Sequence, residues 1–244
     1  MHSTDLIIFD CDGVLIDSES LVCGLVSEEL IALGYAISRD DVIERFAGRP
    51  QREMVADIEA DWGKALPETF FSRCKQRTVE AYRTDLQAIP GALVMLEQAG
   101  VRTCVASSSY PEKLRLGLET TGLYDRLAPN VISASFVAQG KPAPDVFIYA
   151  AGWMRTPVDR CVVVEDSIPG VRAGRSAGMT VFGFTGGSHC RPGHEDRLIE
   201  AGAHSVFNDM SELPRLIPEA FRDAKPRIVG RGTRGRGFPS ATAA

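Results

Sequence analysis

The sequence predicts an α/β fold, a doubly wound parallel sheet with an inserted all-helical segment, on three observations. Six short runs are apolar at consecutive positions, "DLIIFD", "RTCVASS", "NVISAS", "CVVVED", "TVFGFT" and "HSVFND", as strands covered on both faces should be. After residue 88 they alternate with stretches of helical spacing, the signature of βα units. Residues 18–85, between the first run and the second, hold helical spacing and no convincing strand.

Taken in order, the first strand runs into "DCDGVLIDSE", where Gly13 permits a tight turn after Asp12. The inserted segment follows as "SLVCGLVSEELIALG", "RDDVIERFAG", "REMVADIEADWG" and "PETFFSRCKQRTVEAYRTD". We expect it to form a helical lid over the sheet's carboxyl edge, with residues 1–17 and 86–222 as the α/β core. The later strands are separated by "GALVMLEQAG", "PEKLRLGLETTG", "APDVFIYAAGWM", "PGVRAGRSAG" and "GHEDRLIEAG". Four of these end on Gly, a frequent stop for helices. Met95, Phe147 and Trp153 fall at helical spacing and read as core.

A chain of 244 residues suffices for one large domain or a domain with an insertion. No apolar run approaches the roughly 20 residues a membrane span needs, and "MHSTDLIIFD" lacks a basic n-region and a cleavage site. The six cysteines are scattered without a paired spacing, so reduced thiols and a cytoplasmic location are expected. Five basic residues and no acid lie from Lys225 to the end, so the rest of the chain carries −10 against an overall −5. An acidic body argues against nucleic acid as the main partner. The Gly-, Pro- and Arg-rich tail, 223–244, is expected to be disordered. A monomer with a small-molecule substrate and no membrane partner is the expected state.

In open parallel sheets ligands bind beyond the carboxyl ends of the strands. Here the first strand ends in Asp10, the second in Ser107 and the fourth in Glu165 and Asp166. Four carboxylates, Asp10, Asp12, Glu165 and Asp166, cannot all stay charged at one edge without a cation or large pKa shifts. A hard divalent ion with oxygen ligands resolves this, and Mg²⁺ with a substrate phosphate fits best. Lys141 in "QGKPAPDVF" adds a positive charge that favours a phosphate dianion.

The ordered set Asp-x-Asp-Gly-Val, strand-end Ser, Gly-Lys-Pro-x-Pro-Asp and Val-Glu-Asp-Ser-x-x-Gly resembles the haloacid-dehalogenase-like hydrolases over roughly residues 5–220. A helical insertion just after the first motif is similar to the β-phosphoglucomutases and small sugar-phosphate phosphatases. The resemblance implies that Asp10 is the nucleophile of an aspartyl-phosphate route. It makes Asp12 the acid and base, with its backbone carbonyl on Mg²⁺. Ser107 would hold phosphoryl oxygens with the neighbouring Ser108, Lys141 would neutralise Asp10, and Asp166 with Glu165 would complete the metal site. A Mg²⁺-dependent phosphatase of a sugar, polyol or sugar-acid phosphate is the expected activity, and a β-phosphoglucomutase-type phosphomutase the alternative. The mutases carry a His where this chain has Val22, and an Arg near Gln51 or Arg52. Dehalogenases in the superfamily lack the second Asp of the first motif, which is present here.

Other residues leave two readings open. Asp17 serves turn chemistry or the site, and with Glu19 marks the threshold of the lid. Ser109 is expected to cap the helix starting near Pro111, freeing Ser107 and Ser108. In "FAGRPQRE", Arg49 and Arg52, with Gln51 between them, are substrate contacts or a solvated turn. His189, Cys190 and His194 lack a fourth ligand at zinc spacing, so "GGSHCRPGH" reads as a loop.

Overall fold

The computed structural model describes residues 3–47, 49 and 51–222, without the side chain of Gln51; the basic tail at 223–244 lies outside the described residues. Six strands form one sheet: β1 (Leu6–Phe9), β2 (Arg102–Ser107), β3 (Val131–Ser133), β4 (Cys161–Glu165), β5 (Thr180–Phe184) and β6 (Ser205–Phe207). They lie in the order β3-β2-β1-β4-β5-β6, with every pairing parallel. All six apolar runs are therefore strands.

From β1 the chain steps outward to β2 and β3 on one side, then returns to β4 and steps outward to β6 on the other. The order reverses between β1 and β4, and such a reversal opens a crevice at the strands' carboxyl ends. Phe9 pairs with Val105 of β2 and Val164 of β4. Asp10, the next residue, thus emerges between the ends of both neighbours.

The strand period of two divides β1 between two apolar layers. Ile7 and Phe9 face α5 (Ala92–Gln98), α6 (Pro111–Thr120) and the one-turn α7 (Tyr124–Leu127) and α11 (Leu213–Leu216). Leu6 and Ile8 face α8 (Asp145–Trp153), α9 (Ile168–Ser176) and α10 (His194–Glu200). All four side chains are fully buried, each contributing about 1.5–3 kcal/mol relative to exposure. Trp153 corrects the sequence reading: it closes α8 at 42% exposed, its indole N–H donating to Asn130 Oδ1 at 3.3 Å. It is the last residue of α8, beyond the turns in which Val146, Phe147, Ala150 and Ala151 are buried. The one-turn helices are too short for periodicity to announce.

Between β1 and α5 come α1 (Glu19–Ala32), α2 (Arg39–Phe46), α3 (Gln51–Trp62) and α4 (Phe70–Thr84). Cys23, Val26, Leu30, Val42, Phe46, Ile58 and Phe70 form a third apolar cluster among them. The chain leaves and re-enters the sheet side by side: Asp17 N–H donates to Gln87 O and Ile89 N–H to Leu15 O, each at 2.9 Å.

Candidate active site

Asp10 follows β1 directly, its N–H donating to Val164 O at 2.9 Å. Lys141 reaches it from the loop before α8. The Lys141 ammonium donates to Asp10 Oδ1 at 2.8 Å, Glu165 Oε1 at 2.5 Å and Ala106 O at 3.0 Å. Its side chain is 4% exposed, and its three acceptors come from β2, β4 and the residue after β1. The other Glu165 oxygen accepts from Ser167 N–H and Oγ at 2.8 and 2.9 Å. Ser167 also caps α9 by accepting from Gly170 N–H.

Asp166 completes an acidic trio. One oxygen each of Asp10, Glu165 and Asp166 lies within 4.8 Å of the others, and all three residues are buried. Burial pushes the Asp10 carboxyl well above its ordinary range; Lys141 opposes this, and the charges of Glu165 and Asp166 add to it. Three carboxylates against the Lys141 ammonium and the His189 imidazole on Asp166 still leave uncompensated negative charge, and the donors are hard oxygens, so the set fits Mg²⁺. Both Glu165 oxygens are engaged, which leaves Asp10 and Asp166 better placed to hold an ion and Glu165 to hold Lys141.

The turn after Asp10 is shaped by the same need. Gly13 has φ +79°, and a Cβ there would lie 1.8 Å from Asp166 Oδ2. Only glycine combines that backbone with that approach. Gly13→Ala should displace Asp166 and cost about 2 kcal/mol or more from the left-handed conformation and the collision. Calorimetry should show Tm lower by about 5 °C; an unchanged variant would remove the constraint.

Asp12 points elsewhere. Its Oδ1 accepts from Ser18 Oγ at 2.6 Å, Tyr82 Oη at 3.1 Å and Lys113 Nζ at 3.0 Å, and its Oδ2 from Ser109 Oγ at 2.6 Å. Burial works against the ionised form, but Lys113 with the Ser109 and Ser18 hydroxyls outweighs it and brings the carboxyl to about 2. Asp12 is thus held ionised, with only its main-chain carbonyl to offer a metal.

Ser109 differs from the sequence reading. Tyr110 occupies the N-cap of α6 without a side-chain bond, while Ser109 turns to Asp12 and accepts from Lys113 Nζ at 3.1 Å. Charge on Asp12 is a stronger partner for the hydroxyl than a helix N–H. Ser107 is buried at the end of β2, accepting from Ser109 N–H at 3.1 Å, and Ser108 is exposed.

The structure does not join the arginine loop to these carboxylates. Arg49 pairs with Glu53 at 3.1 Å and Asp57 at 2.8 Å and donates to Arg45 O, so its guanidinium is occupied inside the helical segment. Arg52 is exposed near the start of α3, and the Gln51 side chain lies outside what is described.

Four partners of Asp12 were missing from the sequence reading: Ser18, Tyr82, Ser109 and Lys113. Lys113 left a signal, since a cation in the first turn of a helix opposes the helix dipole and needs a nearby anion to justify it. Glu19, the first residue of α1, was placed only at the lid's threshold. It is half-buried; burial, then the charge of Asp12, push its carboxyl up to about 7, with Lys113 and His189 opposing. Asp17 Oδ1 accepts from Ser188 N–H and Oγ at 3.0 and 2.9 Å.

The loop "GGSHCRPGH" also reaches the site. His189 Nε2 sits 3.1 Å from Asp166 Oδ2, and His194 Nε2 2.6 Å from the Asp166 carbonyl. Burial alone would lower the His189 imidazole, but the bond to Asp166 holds it well above its ordinary value.

Comparison with known proteins gives a concordant picture. Residues 4–178 match the haloacid dehalogenase-like hydrolases. The chain is 26% identical to the 6-phosphogluconate phosphatase of Escherichia coli (strain K12), over 88% of this chain and 96% of that one. It is 31% identical to hexitol phosphatase A of the same organism, over 72% and 80%. Among solved structures, a conserved haloacid dehalogenase-like protein of unknown function from Agrobacterium tumefaciens str. C58 superposes with a TM-score of 0.83 at 38% identity, covering 88% of this chain and 98% of that one. No described helix is long and apolar enough to cross a membrane.

Proposed function

Since the chain belongs to the haloacid dehalogenase-like hydrolase family and is a phosphoric monoester hydrolase, we propose that it hydrolyses a small sugar, polyol or sugar-acid phosphate through an aspartyl-phosphate on Asp10, with Mg²⁺ bound. The observation that carries this reading is the Lys141 ammonium shared by Asp10 and Glu165 beside Asp166, at the reversal point of the sheet. The 6-phosphogluconate and hexitol phosphatases among the relatives support the substrate class.

In the first step an Asp10 oxygen attacks phosphorus, the bond to the ester oxygen breaks, and the leaving alkoxide takes a proton. In the second, water attacks the phosphorus of the acyl phosphate, losing a proton as phosphate leaves and Asp10 is regenerated. Bound by Asp10 and Asp166, Mg²⁺ would supply positive charge against which the phosphoryl oxygens approach these carboxylates. Lys141 holds Asp10 in place and offsets its charge. Ser107 closes β2, the strand next to β1, and is assigned, with the exposed Ser108, to the phosphoryl oxygens.

Asp12 is assigned the proton transfers. Its ionised form suits removal of the water proton in the second step. Donation in the first step requires a proton on Asp12, so its bonds to Lys113 and the hydroxyls must loosen as substrate binds. The helical segment, 18–85, is assigned as the cap that closes over the substrate, with Ser18 and Tyr82 carrying its position to Asp12. Val22, packed against apolar neighbours, stands where the mutases use a His, which favours transfer to water over return to the sugar.

The test is inorganic phosphate release from a panel of sugar, polyol and sugar-acid phosphates, with Mg²⁺ and with chelator. We expect turnover that needs Mg²⁺ and is lost in Asp12→Ala. Isomerised sugar phosphate without phosphate release would overturn this reading in favour of a phosphomutase.

A further inference from the structure

We propose that His189, Cys190 and His194 form a second metal site, selective for Zn²⁺ over Mg²⁺, on the flank of Asp166. The three residues come from one loop and the first residue of α10. One ring nitrogen of each histidine and the Cys190 sulfur lie within 4.8 Å of one another. Two imidazoles and a thiolate are a borderline-soft set that suits Zn²⁺ and not Mg²⁺. Three protein ligands with a water in the fourth position is a recurrent zinc arrangement, so the missing fourth side chain is no obstacle.

A second observation points to an ion. His189 is 7% exposed, and its Nδ1 is buried with no hydrogen-bond partner among the described residues. Leaving a buried polar atom unsatisfied is unfavourable, and a bound cation would remove that cost. His189 Nε2 faces Asp166 Oδ2 at 3.1 Å and Cys190 Sγ at 3.6 Å, so an ion on Nδ1 displaces a ring proton while Nε2 keeps its carboxylate, as metal-bound histidines commonly do.

The ring is also fixed in place. A Cβ on Gly187 would lie 2.8 Å from His189 Cε1 and Nδ1, and one on Gly13 2.8 Å from Cε1. Cys190 and His194 are half-exposed, which leaves an entry path for the ion.

The site is coupled to Asp166. Two dications drawing on the charge of one carboxylate oppose each other, and the opposition is reciprocal. Zinc should therefore raise the Mg²⁺ concentration needed for half-maximal phosphate release, by about fivefold or more. This coupling rests on Asp166 as a Mg²⁺ ligand; zinc binding itself does not.

The experiment uses the full chain, stripped of metal and titrated with Co²⁺ in excess Mg²⁺. We expect one Co²⁺ per chain, with a thiolate-to-cobalt charge-transfer band that Zn²⁺ displaces. In Cys190→Ser the band should vanish and zinc affinity fall at least about tenfold. In the unsubstituted protein, zinc should protect Cys190 from iodoacetamide, read by mass spectrometry, which needs no variant to fold. Absence of the band, its survival in Cys190→Ser, or equal alkylation with and without zinc would overturn the site. An intact band with an unchanged Mg²⁺ requirement would instead overturn the coupling and count against the role of Asp166.

Discussion

Asp10→Asn should reduce phosphate release by at least about 10⁴-fold, a loss typical of removing a covalent nucleophile, while leaving Tm within about 2 °C. The amide has nearly the same shape as the carboxylate but cannot attack phosphorus. Stability should be spared because Lys141 keeps Glu165 and the Ala106 carbonyl as partners. Burial and the charges of Glu165 and Asp166 already disfavour an ionised Asp10, so without metal the substitution relieves repulsion as well as losing a bond. Steady-state assays and calorimetry on one preparation would check both halves. Retention of more than about 1% activity would remove Asp10 from the nucleophile's role, and a large fall in Tm would mean that the activity loss reports damage to the fold.

Lys141→Met should be the costlier change for the fold. It keeps the length of the side chain but leaves Asp10 and the fully buried Glu165 facing one another without an ammonium. Removing one partner of a buried ion pair costs about 3–5 kcal/mol, which for this size predicts a Tm lower by roughly 10 °C. The loss should also depend on pH with a definite sign. Lys141 is the chief influence holding the Asp10 carboxyl down, so its removal raises that carboxyl further. A carboxyl raised above its unfolded value of about 3.9 destabilises the fold at neutral pH and ceases to do so once both states are protonated. The deficit of Lys141→Met should therefore shrink as pH falls from 7.5 towards 4.5. Urea denaturation at the two pH values would read it, and an equal deficit at both would sink the electrostatic account.

What the sequence disclosed was set by local chemistry. The runs that become β1 to β6 are apolar at consecutive positions because both sheet faces are covered, and a strand end followed by Asp or Ser can be read without a fold. Asp10, Glu165 and Asp166 were legible in this way, and the structure brings them together with Lys141. The surroundings of Asp12 were not. Tyr82 lies 70 residues from it and Ser109 97, and only packing of α4 and α6 brings them in. Ser109 was misjudged for the same reason: a helix cap is a local preference, and a buried carboxylate across the fold outweighs it. His189 and His194 looked like loop residues because their partner, Asp166, is far away in sequence. Arg49 was read from residue type and loop position, which say nothing of the Glu53 and Asp57 carboxylates that engage it.

Cys11 sits between Asp10 and Asp12, the two aspartates of the proposed chemistry. It has no exposed surface, and burial, followed by the charges of Asp12 and Asp10, pushes its thiol well above the ordinary range. Only the thiolate reacts readily with peroxides or electrophiles, so this sulfur is chemically silent although it is one residue from the proposed nucleophile. Burial, reinforced by the carboxylates proposed to draw in a cation, therefore also passivates the sulfur between them, so that the proposed reaction centre carries a cysteine without its oxidative liability.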